Sequence, residues 1–306
     1  MKKSSIYKAQ CFGNVEPIEY MVPYYNLRSL AVGQCIKFSK SILYKDFGIT
    51  NGDFLKSINK TANWLVTNGI GKNDRVLVSK IPSPMKEILS YTIWSVGGIL
   101  VISDNNEIDS AIEKTNPKLL IDKITEKDKS LIDDQSDEFI ETSSTLLLDE
   151  AVIFYHNGKG IRLSHYNLLI NTYGIQRHLD ILHTDILNID IPLNTTAGLV
   201  LKTILPLNSG CAISDKSANI TFSAKSDADY QVKFEWTTLS DTKPQSLYVL
   251  PEVTAVLAIG STPNHIISII EEKESYKING HSVMMGYLNE KDNQRVFHDG
   301  SLIIQK

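Results

Sequence analysis

With 306 residues, 42% of them hydrophobic, the chain can bury a core of ordinary size, and its formal charge of −4 argues against a nucleic-acid-binding protein. The three cysteines, Cys11, Cys35 and Cys211, lie too far apart for a CxxC zinc motif and form no disulfide framework, which favours a reducing cytoplasm. The opening residues lack the apolar stretch of a secretion signal. The most apolar run, Ile88 to Ile102, is too short to span a membrane. We therefore expect a cytoplasmic protein without a membrane partner.

The first half of the chain alternates between helical and strand patterns. Apolar residues recur at helical spacing from Asn51 to Leu65, and Asn68-Gly69 ends this helix because glycine can adopt the left-handed conformation. The nearly all-apolar run Ile99 to Ile102 is typical of a strand covered on both faces in a parallel sheet. The other elements predicted here are a strand at Arg75–Ser79, a helix at Met85–Val96, a helix at Ile108–Lys114 and a strand at Leu119–Ile121. This alternation predicts an α/β fold with right-handed crossovers.

Residues 122–144 are charged and have no sustained apolar period, so they predict an exposed acidic connection between two segments, 1–125 and 145–306. After this connection the α/β pattern resumes, and Ser164 is placed to cap a helix. The elements predicted here are strands at Ala151–Tyr155, Gly160–Leu163, Leu187–Ile191, Cys211–Ser214 and Thr254–Ile259, and helices at Thr196–Leu205 and Pro263–Glu272.

Several segments resemble, in order, the adenylate-forming superfamily of acyl-CoA synthetases, luciferases and adenylation domains. The most specific is INGHSVMMGYLNEKDNQRVFHDGSL, which is similar to the family pattern "v.G..vm.GYl..pe.T...f.dGWl". GIRLSHYNLL, DIPLNTTAGLVLKTILPLNSGCAI and GITNGDFLKSINKTANWLVTNGIGKNDRVLV match earlier family segments. The resemblance implies that residues 1–306 form an AMP-binding-like N-terminal domain of two stacked α/β subdomains with largely parallel sheets. It also implies that the chain is truncated, without the family's small C-terminal domain.

The segment that resembles the family's phosphate-binding loop, "YTSGTTG.PKGV", is shortened. Here it reads Tyr155-His156-Asn157-Gly158-Lys159-Gly160-Ile161, which is roughly five residues shorter than the family loop. Gly158, Lys159 and Gly160 could still form a small anion site, since glycines allow close approach of the backbone. A tight hairpin between two strands is the alternative, and we favour it because an isolated GKG sequence is weak evidence for phosphate binding.

Two further nucleotide-binding segments of the family are altered. Gly260, Ser261 and Thr262 resemble the turn that lies near adenine in the family, although an ordinary turn into a helix starting at Pro263 explains them equally well. No counterpart of the "YG.TE" motif is found, and Lys306 stands where the family has a ribose-binding aspartate. We therefore expect no cofactor, unless ATP or AMP with Mg²⁺ still binds to a vestigial site at residues 158–160 and 260–262.

The resemblance also places a substrate pocket. In the segment similar to "Pl.H..Gl", the family histidine is replaced by Thr195, and the neighbouring pocket positions are Asn194 and Gly198. None of the seven histidines has the spacing of a metal motif, and no known catalytic motif is present, so we assign neither a metal site nor a catalytic residue.

The family pattern without its ATP-handling residues predicts a pseudoenzyme that acts as a binding or assembly module in a biosynthetic pathway. Its partner would be an active ligase, a carrier protein or a separate C-terminal domain. Two alternatives stay open. One is an AMP-forming acyl- or aryl-acid ligase completed in trans by such a domain, and the other is a protein that binds a small carboxylic acid.

Overall fold

The computed structural model describes residues 4–141, 143–241 and 245–306. Within these ranges no helix combines the length and the apolar character needed to cross a bilayer. Residue 142, in the predicted acidic connection, and residues 1–3 and 242–244, in the two predicted segments, lie outside the described part of the chain.

The described strands and helices alternate along most of the chain. The strands are β1 (Ile42–Tyr44), β2 (Ile49–Thr50), β3 (Arg75–Val78), β4 (Ile99–Ser103), β5 (Leu119–Ile121), β6 (Glu150–His156), β7 (Lys159–Ser164), β8 (Ile186–Asp190), β9 (Ala212–Ile213), β10 (Ile220–Ser223), β11 (Tyr230–Lys233), β12 (Gln245–Val249), β13 (Val256–Ile259), β14 (Thr262–Pro263), β15 (Ile267–Glu271), β16 (Ser275–Gly280), β17 (Gly286–Tyr287), β18 (Phe297–His298) and β19 (Ser301–Gln305). The helices are α1 (Ser5–Ala9), α2 (Leu27–Lys37), α3 (Asn51–Thr67), α4 (Met85–Ser95), α5 (Ile108–Thr115), α6 (Glu126–Asp133), α7 (His165–Leu179), α8 (Thr196–Gly198), α9 (Leu205–Ser209) and α10 (Glu290–Val296), with a π-helical segment at Leu199–Ile204.

A six-stranded sheet in the order β17-β7-β6-β4-β3-β5 forms one layer of the fold. Strands β5, β3, β4 and β6 are parallel, and β7 and β17 are antiparallel to their neighbours. All five residues of β4 are buried, which confirms the prediction from its continuous apolar run. Helix α7 follows β7, and it begins with the predicted cap, in which the Ser164 side chain accepts a hydrogen bond from the Asn167 backbone.

A nine-stranded sheet in the order β14-β13-β12-β11-β10-β8-β9-β1-β2 forms a second layer. Its centre, from β12 through β11, β10, β8 and β9 to β1, is parallel, and its two edges are antiparallel. The predicted helix at Thr196–Leu205 is present as α8, the π-helical segment and α9, and it extends to Ser209. The expectation of an α/β fold with largely parallel sheets is confirmed in these two layers.

The third sheet is antiparallel throughout, in the order β15-β16-β19-β18. It includes residues for which we predicted a helix, Pro263–Glu272, and that prediction is wrong. β-Branched isoleucines dominate this segment, and Ile269 lies opposite Ile278 on β16. The pairing with a strand that follows in sequence thus outweighs the proline signal for a helix start.

The predicted connection at 122–144 is structured over part of its length. Helix α6 begins with a capping box at Thr125 and Asp128 and contacts α3, where Asn59 and Asn63 donate hydrogen bonds to carbonyls of residues 136–138. The sheets do not divide along this connection. The six-stranded sheet takes strands from both sides of it, and so does the nine-stranded sheet, because β1 pairs with β9 and β2 pairs with β1 at the edge.

Candidate functional site

Two cavities lie at the carboxyl ends of parallel strands from the two larger sheets. The residues after β4 and β8 form part of both, with Asp104 and Thr195 lining one and Asn105 and Asn194 lining the other. Loops at the carboxyl ends of parallel strands are where ligands bind in open α/β sheets. We call these two spaces the acidic cavity and the lysine cavity, after the charged side chains that line them.

The acidic cavity has a volume of about 320 Å³. Its charged or titratable side chains are Asp104, His156, Glu235 and Glu252. The remaining lining residues are Phe154, Asn157, Thr195, Thr196, Phe234, Val249 and Pro251. Among the described residues, the lining of this cavity has three carboxylates and no lysine or arginine, so it is poorly suited to hold an anion.

The shortened loop at one side of the acidic cavity is a tight hairpin turn, as the favoured prediction held. Strands β6 and β7 pair directly up to His156 and Lys159. Asn157 and Gly158 between them have φ angles of 51° and 71°. An Asn-Gly pair with positive φ at both positions is the preferred two-residue turn between antiparallel strands.

The amide groups of this turn are occupied by a carboxylate of the protein itself. Asn157 N–H donates to Glu107 Oε2 at 2.8 Å, and Gly158 N–H donates to Glu107 Oε1 at 2.9 Å. Two successive N–H groups that converge in this way form an anion-binding nest. Of the residues predicted for a small anion site, only Gly158 contributes an amide to this nest, and the nest is occupied by the Glu107 side chain.

His156 joins the same group of side chains. Its Nδ1 contacts Asp104 Oδ2, and its Nε2 lies 2.9 Å from the Asn157 side-chain amide. One donor atom each from Asp104, Glu107 and His156 lies within 4.8 Å of the others, a spacing that would allow a divalent cation to bind. The sequence did not indicate this cluster, because its acidic members lie about 50 residues before the histidine.

Lys159 and Gly160 take part in packing rather than in the nest. Lys159 Nζ lies 5.1 Å from the centre of the Tyr287 ring, within cation–π range. A Cβ atom on Gly160 would lie 2.4 Å from Leu288 Cδ1. Tyr287 and Leu288 belong to the GYL motif, the most specific segment of the family resemblance. Lys159 and Gly160 therefore serve to pack β7 against this motif.

The turn at residues 260–262, which was also predicted as part of a vestigial nucleotide site, likewise binds a carboxylate of the protein, that of Asp241. Ser261 N–H donates to Asp241 Oδ1 at 2.7 Å, and the Ser261 hydroxyl donates to Oδ2 at 3.0 Å. These hydrogen bonds hold the pKa of Asp241 below its usual value. Gly260 has a φ of 59°, and a Cβ there would lie 2.3 Å from the same carboxylate. Thr262 is exposed in β14, and residues 260–262 line neither cavity.

Comparison with solved structures gives the fold. VinN in complex with 3-methylaspartate superposes with a TM-score of 0.73 at 16% identity, over 92% of this chain and 96% of that chain. The inhibitor-bound N-terminal domain of FACL13 from Mycobacterium tuberculosis has a TM-score of 0.78 at 14% identity, over 91% and 95% of the two chains. A putative long-chain-fatty-acid CoA ligase from Rhodopseudomonas palustris has a TM-score of 0.75 at 16% identity, over 92% and 95%. The sequence matches no family model and no curated protein.

The fold is that of the N-terminal domain of adenylate-forming ligases. The structural likeness covers about nine-tenths of the chain. At these levels of identity it establishes the architecture of the ligase fold and leaves the chemistry to the residues of this chain.

The three residues predicted for the substrate pocket of the ligase fold have different environments. The Thr195 side chain caps α8 by accepting a hydrogen bond from Gly198 N–H, and Thr195 lines the acidic cavity. Asn194 lines the lysine cavity. Gly198 is buried against the preceding loop, and a Cβ there would lie 2.0 Å from the Pro192 carbonyl oxygen. The structure therefore separates these residues between two cavities and a packing contact.

The lysine cavity has a volume of about 370 Å³ and is open to solvent. Lys80, Lys86 and Lys202 line it, and no acidic side chain is found among the other lining residues that the structure describes. Its other residues are Ile81, Pro82, Ser83, Asn105, Ile191, Leu193 and Asn194. The sequence did not bring these lysines together, because they lie in the loop after β3, in α4 and in the π-helical segment.

Proposed function

We propose that this protein is an adenylate-forming-ligase homologue that no longer adenylates a substrate and acts as a binding or assembly module. The observation that carries the proposal is the Glu107 carboxylate, which accepts hydrogen bonds from both amides of the turn at Asn157 and Gly158. That turn corresponds to the segment that resembles the family's phosphate-binding loop. Asp241 accepts two hydrogen bonds in the same way at Ser261, in the segment that resembles the turn near adenine.

Electrostatics argue against nucleotide phosphate at either place. A phosphate at the turn would have to displace Glu107 or lie next to it. Two unit charges of the same sign at 4 Å repel by about 4 kcal/mol at an effective dielectric constant near 20. Asp104, Glu235 and Glu252 in the neighbouring cavity add to this unfavourable field. Transition-state stabilisation in adenylation needs positive charge and free donors around the phosphates, and here the donors are already bonded.

The test measures binding of ATP and AMP with Mg²⁺ by calorimetry, together with carboxylate-dependent release of pyrophosphate. We expect the wild-type protein to release no pyrophosphate above a no-enzyme control and to bind ATP or AMP no more tightly than inorganic phosphate. Glu107→Ala frees the two amides of the turn, so we expect ATP to bind more tightly to this variant than to the wild-type protein. Glu274→Ala, which removes an exposed carboxylate from the turn before β16, is the matched control and should behave like wild type.

Two outcomes would contradict the proposal. Pyrophosphate release by the wild-type protein would identify an active ligase, and release that appears only when a separate C-terminal domain is added would favour the ligase completed in trans. Nucleotide binding that is equally tight in the wild-type protein and in Glu107→Ala would mean that the carboxylate does not compete for the turn.

The carboxylate-binding alternative has one specific observation in its favour. Asn194, predicted for the substrate pocket, lines the lysine cavity, where an acid would meet positive charge. A thermal-shift screen with fatty and aromatic acids addresses it. Stabilisation by one class of acid that is lost in Lys202→Met would support this function, and a flat response across the panel would remove it.

A further inference from the structure

The lysine cavity concentrates positive charge, and none of the described residues that line it is acidic. Lys80 follows β3, Lys86 lies in the first turn of α4, and Lys202 lies in the π-helical segment, so three separate elements each direct a lysine to one cavity. Like charges that converge in this way repel one another, which is unfavourable unless an anion lies between them. The cavity also lies at the carboxyl ends of β3, β4 and β8, the usual edge for ligand binding in this type of sheet.

Lys86 is the most constrained of the three lysines. It is 6% exposed, and its ammonium group makes no hydrogen bond or ion pair with the residues that the structure describes. Burial lowers its pKa to about 8, although the nearby Glu87 opposes this shift. The partner of the Lys86 ammonium is therefore water or an anion in the open cavity, and an anion there would relieve the cost of burying most of this side chain.

The carboxylates around the cavity do not serve as that partner. Glu87 is fully buried and accepts a hydrogen bond from the Ser83 hydroxyl, and burial raises its pKa. Asp190 lies near Lys202 but forms its ion pair with Lys225, at 2.8 Å. Both carboxylates lie outside the lining of the cavity. Both carboxylates interact electrostatically with Lys202, which also lines a smaller cavity beside Asp46 and Asp215. The described lining of the lysine cavity itself nevertheless contains three lysines and no carboxylate.

We propose that the lysine cavity binds a small phosphate-bearing anion, held by Lys80, Lys86 and Lys202. A phosphate monoester carries up to two negative charges and three acceptor oxygens, which matches three ammonium groups better than one carboxylate does. Ser83, Asn105 and Asn194 supply neutral polar groups at the same cavity. This site is separate from the turn held by Glu107, so it does not depend on the loss of adenylation.

Calorimetry at low ionic strength and neutral pH tests the site, with inorganic phosphate as the probe and acetate as the singly charged comparison. We expect phosphate to bind with a Kd in the millimolar range or below, and acetate to bind more weakly. Lys86→Met and Lys202→Met should each weaken phosphate binding at least tenfold. Lys291→Met removes the same formal charge from exposed α10 and should leave phosphate binding unchanged.

A second measurement separates a binding role for Lys86 from a structural one. Without phosphate, Lys86→Met should unfold at the same temperature as the wild-type protein or a higher one, since methionine fills similar space without an unpaired charge. Added phosphate should raise the unfolding temperature of the wild-type protein and of Lys291→Met but not that of Lys86→Met. The proposal is overturned if all variants bind phosphate alike, or if acetate binds as well as phosphate. It is also overturned if Lys86→Met lowers the unfolding temperature while phosphate affinity persists in Lys202→Met.

Discussion

Gly198 offers a direct test of whether a predicted pocket residue lines a pocket or supports the fold. It lies in α8, and a Cβ added there would meet the Pro192 carbonyl oxygen at 2.0 Å, the Pro192 carbonyl carbon at 2.7 Å and Leu193 Cα at 3.0 Å. All three atoms belong to the backbone, so no side-chain rotation relieves the clash. Gly198→Ala must therefore displace either the helix or the loop that follows β8.

The expected loss follows from the cost of overpacking. Extra methyl groups in a packed interior destabilise by about 1–3 kcal/mol, and a clash with the backbone belongs at the upper end or beyond. A loss of about 3 kcal/mol lowers the ratio of folded to unfolded protein by roughly 100-fold or more. With a urea m-value of about 3 kcal/mol per M, the midpoint of unfolding should fall by about 1 M.

Urea unfolding followed by circular dichroism measures this change, and Gly71→Ala serves as the control. No atom lies within 4 Å of a Cβ at Gly71, so alanine there should be neutral or stabilise by up to about 1 kcal/mol. The reasoning is refuted if Gly198→Ala and Gly71→Ala unfold at the same urea concentration. That result would mean that the space beside Gly198 is open, as the resemblance to a substrate pocket implied.

Two further substitutions test buried polar side chains. Burial lowers the pKa of His165 to about 4, from about 6.5 in an unfolded chain. As the pH falls from 6.5 to 4, the unfolded state therefore takes up a proton that the folded state does not. Within this pH range the free energy of unfolding should decrease by up to about 1.4 kcal/mol per pH unit because of this residue. His165→Asn should flatten that slope in urea titrations between pH 6.5 and 4, and an unchanged slope would contradict the assignment. The Asn171 side chain accepts a hydrogen bond from Val256 N–H and donates to the Val253 and Val256 carbonyls, which also accept from Ala255 N–H and the Asn264 side chain. Asn171→Leu should therefore cost about 1–3 kcal/mol, mainly by removing the side-chain acceptor of the buried Val256 N–H, and calorimetry that finds no loss would contradict this.

Elements with strong local signals could be predicted from the sequence. Helix α3 follows the apolar spacing after Asn51, and the box at Ser164 and Asn167 starts α7 as expected. Strand β4 was recognisable from its continuous apolar run, because a strand buried on both faces does not alternate between apolar and polar residues. The hairpin was favoured because an isolated GKG sequence is weak evidence for a phosphate site, and the structure adds that Asn157 and Gly158 adopt the positive φ angles of such a turn.

The features that depend on distant partners could not be predicted. Strand β15 is set by its pairing with β16, which outweighs the helix signal at Pro263. Helix α2 was missed because its sequence, LRSLAVGQCIK, has no clear polar face. The carboxylate at the hairpin turn comes from Glu107, about 50 residues earlier in the chain. Nothing in the local sequence distinguishes Glu107 from other exposed acidic residues. Local patterns thus place the elements, whereas the contents of the site depend on tertiary contacts.

The order of strands in the nine-stranded sheet has a consequence for synthesis of the chain. Tyr44 in β1 pairs with Ile213 in β9, so 168 residues separate the two partners along the chain. At about 5–20 residues per second, translation takes roughly 10–30 s to cover that distance. During that time the apolar strand Ile42–Tyr44 has emerged from the ribosome without its partner. We therefore expect this early segment to be a binding site for chaperones on the nascent chain, and its sheet to close only after most of the protein has been made.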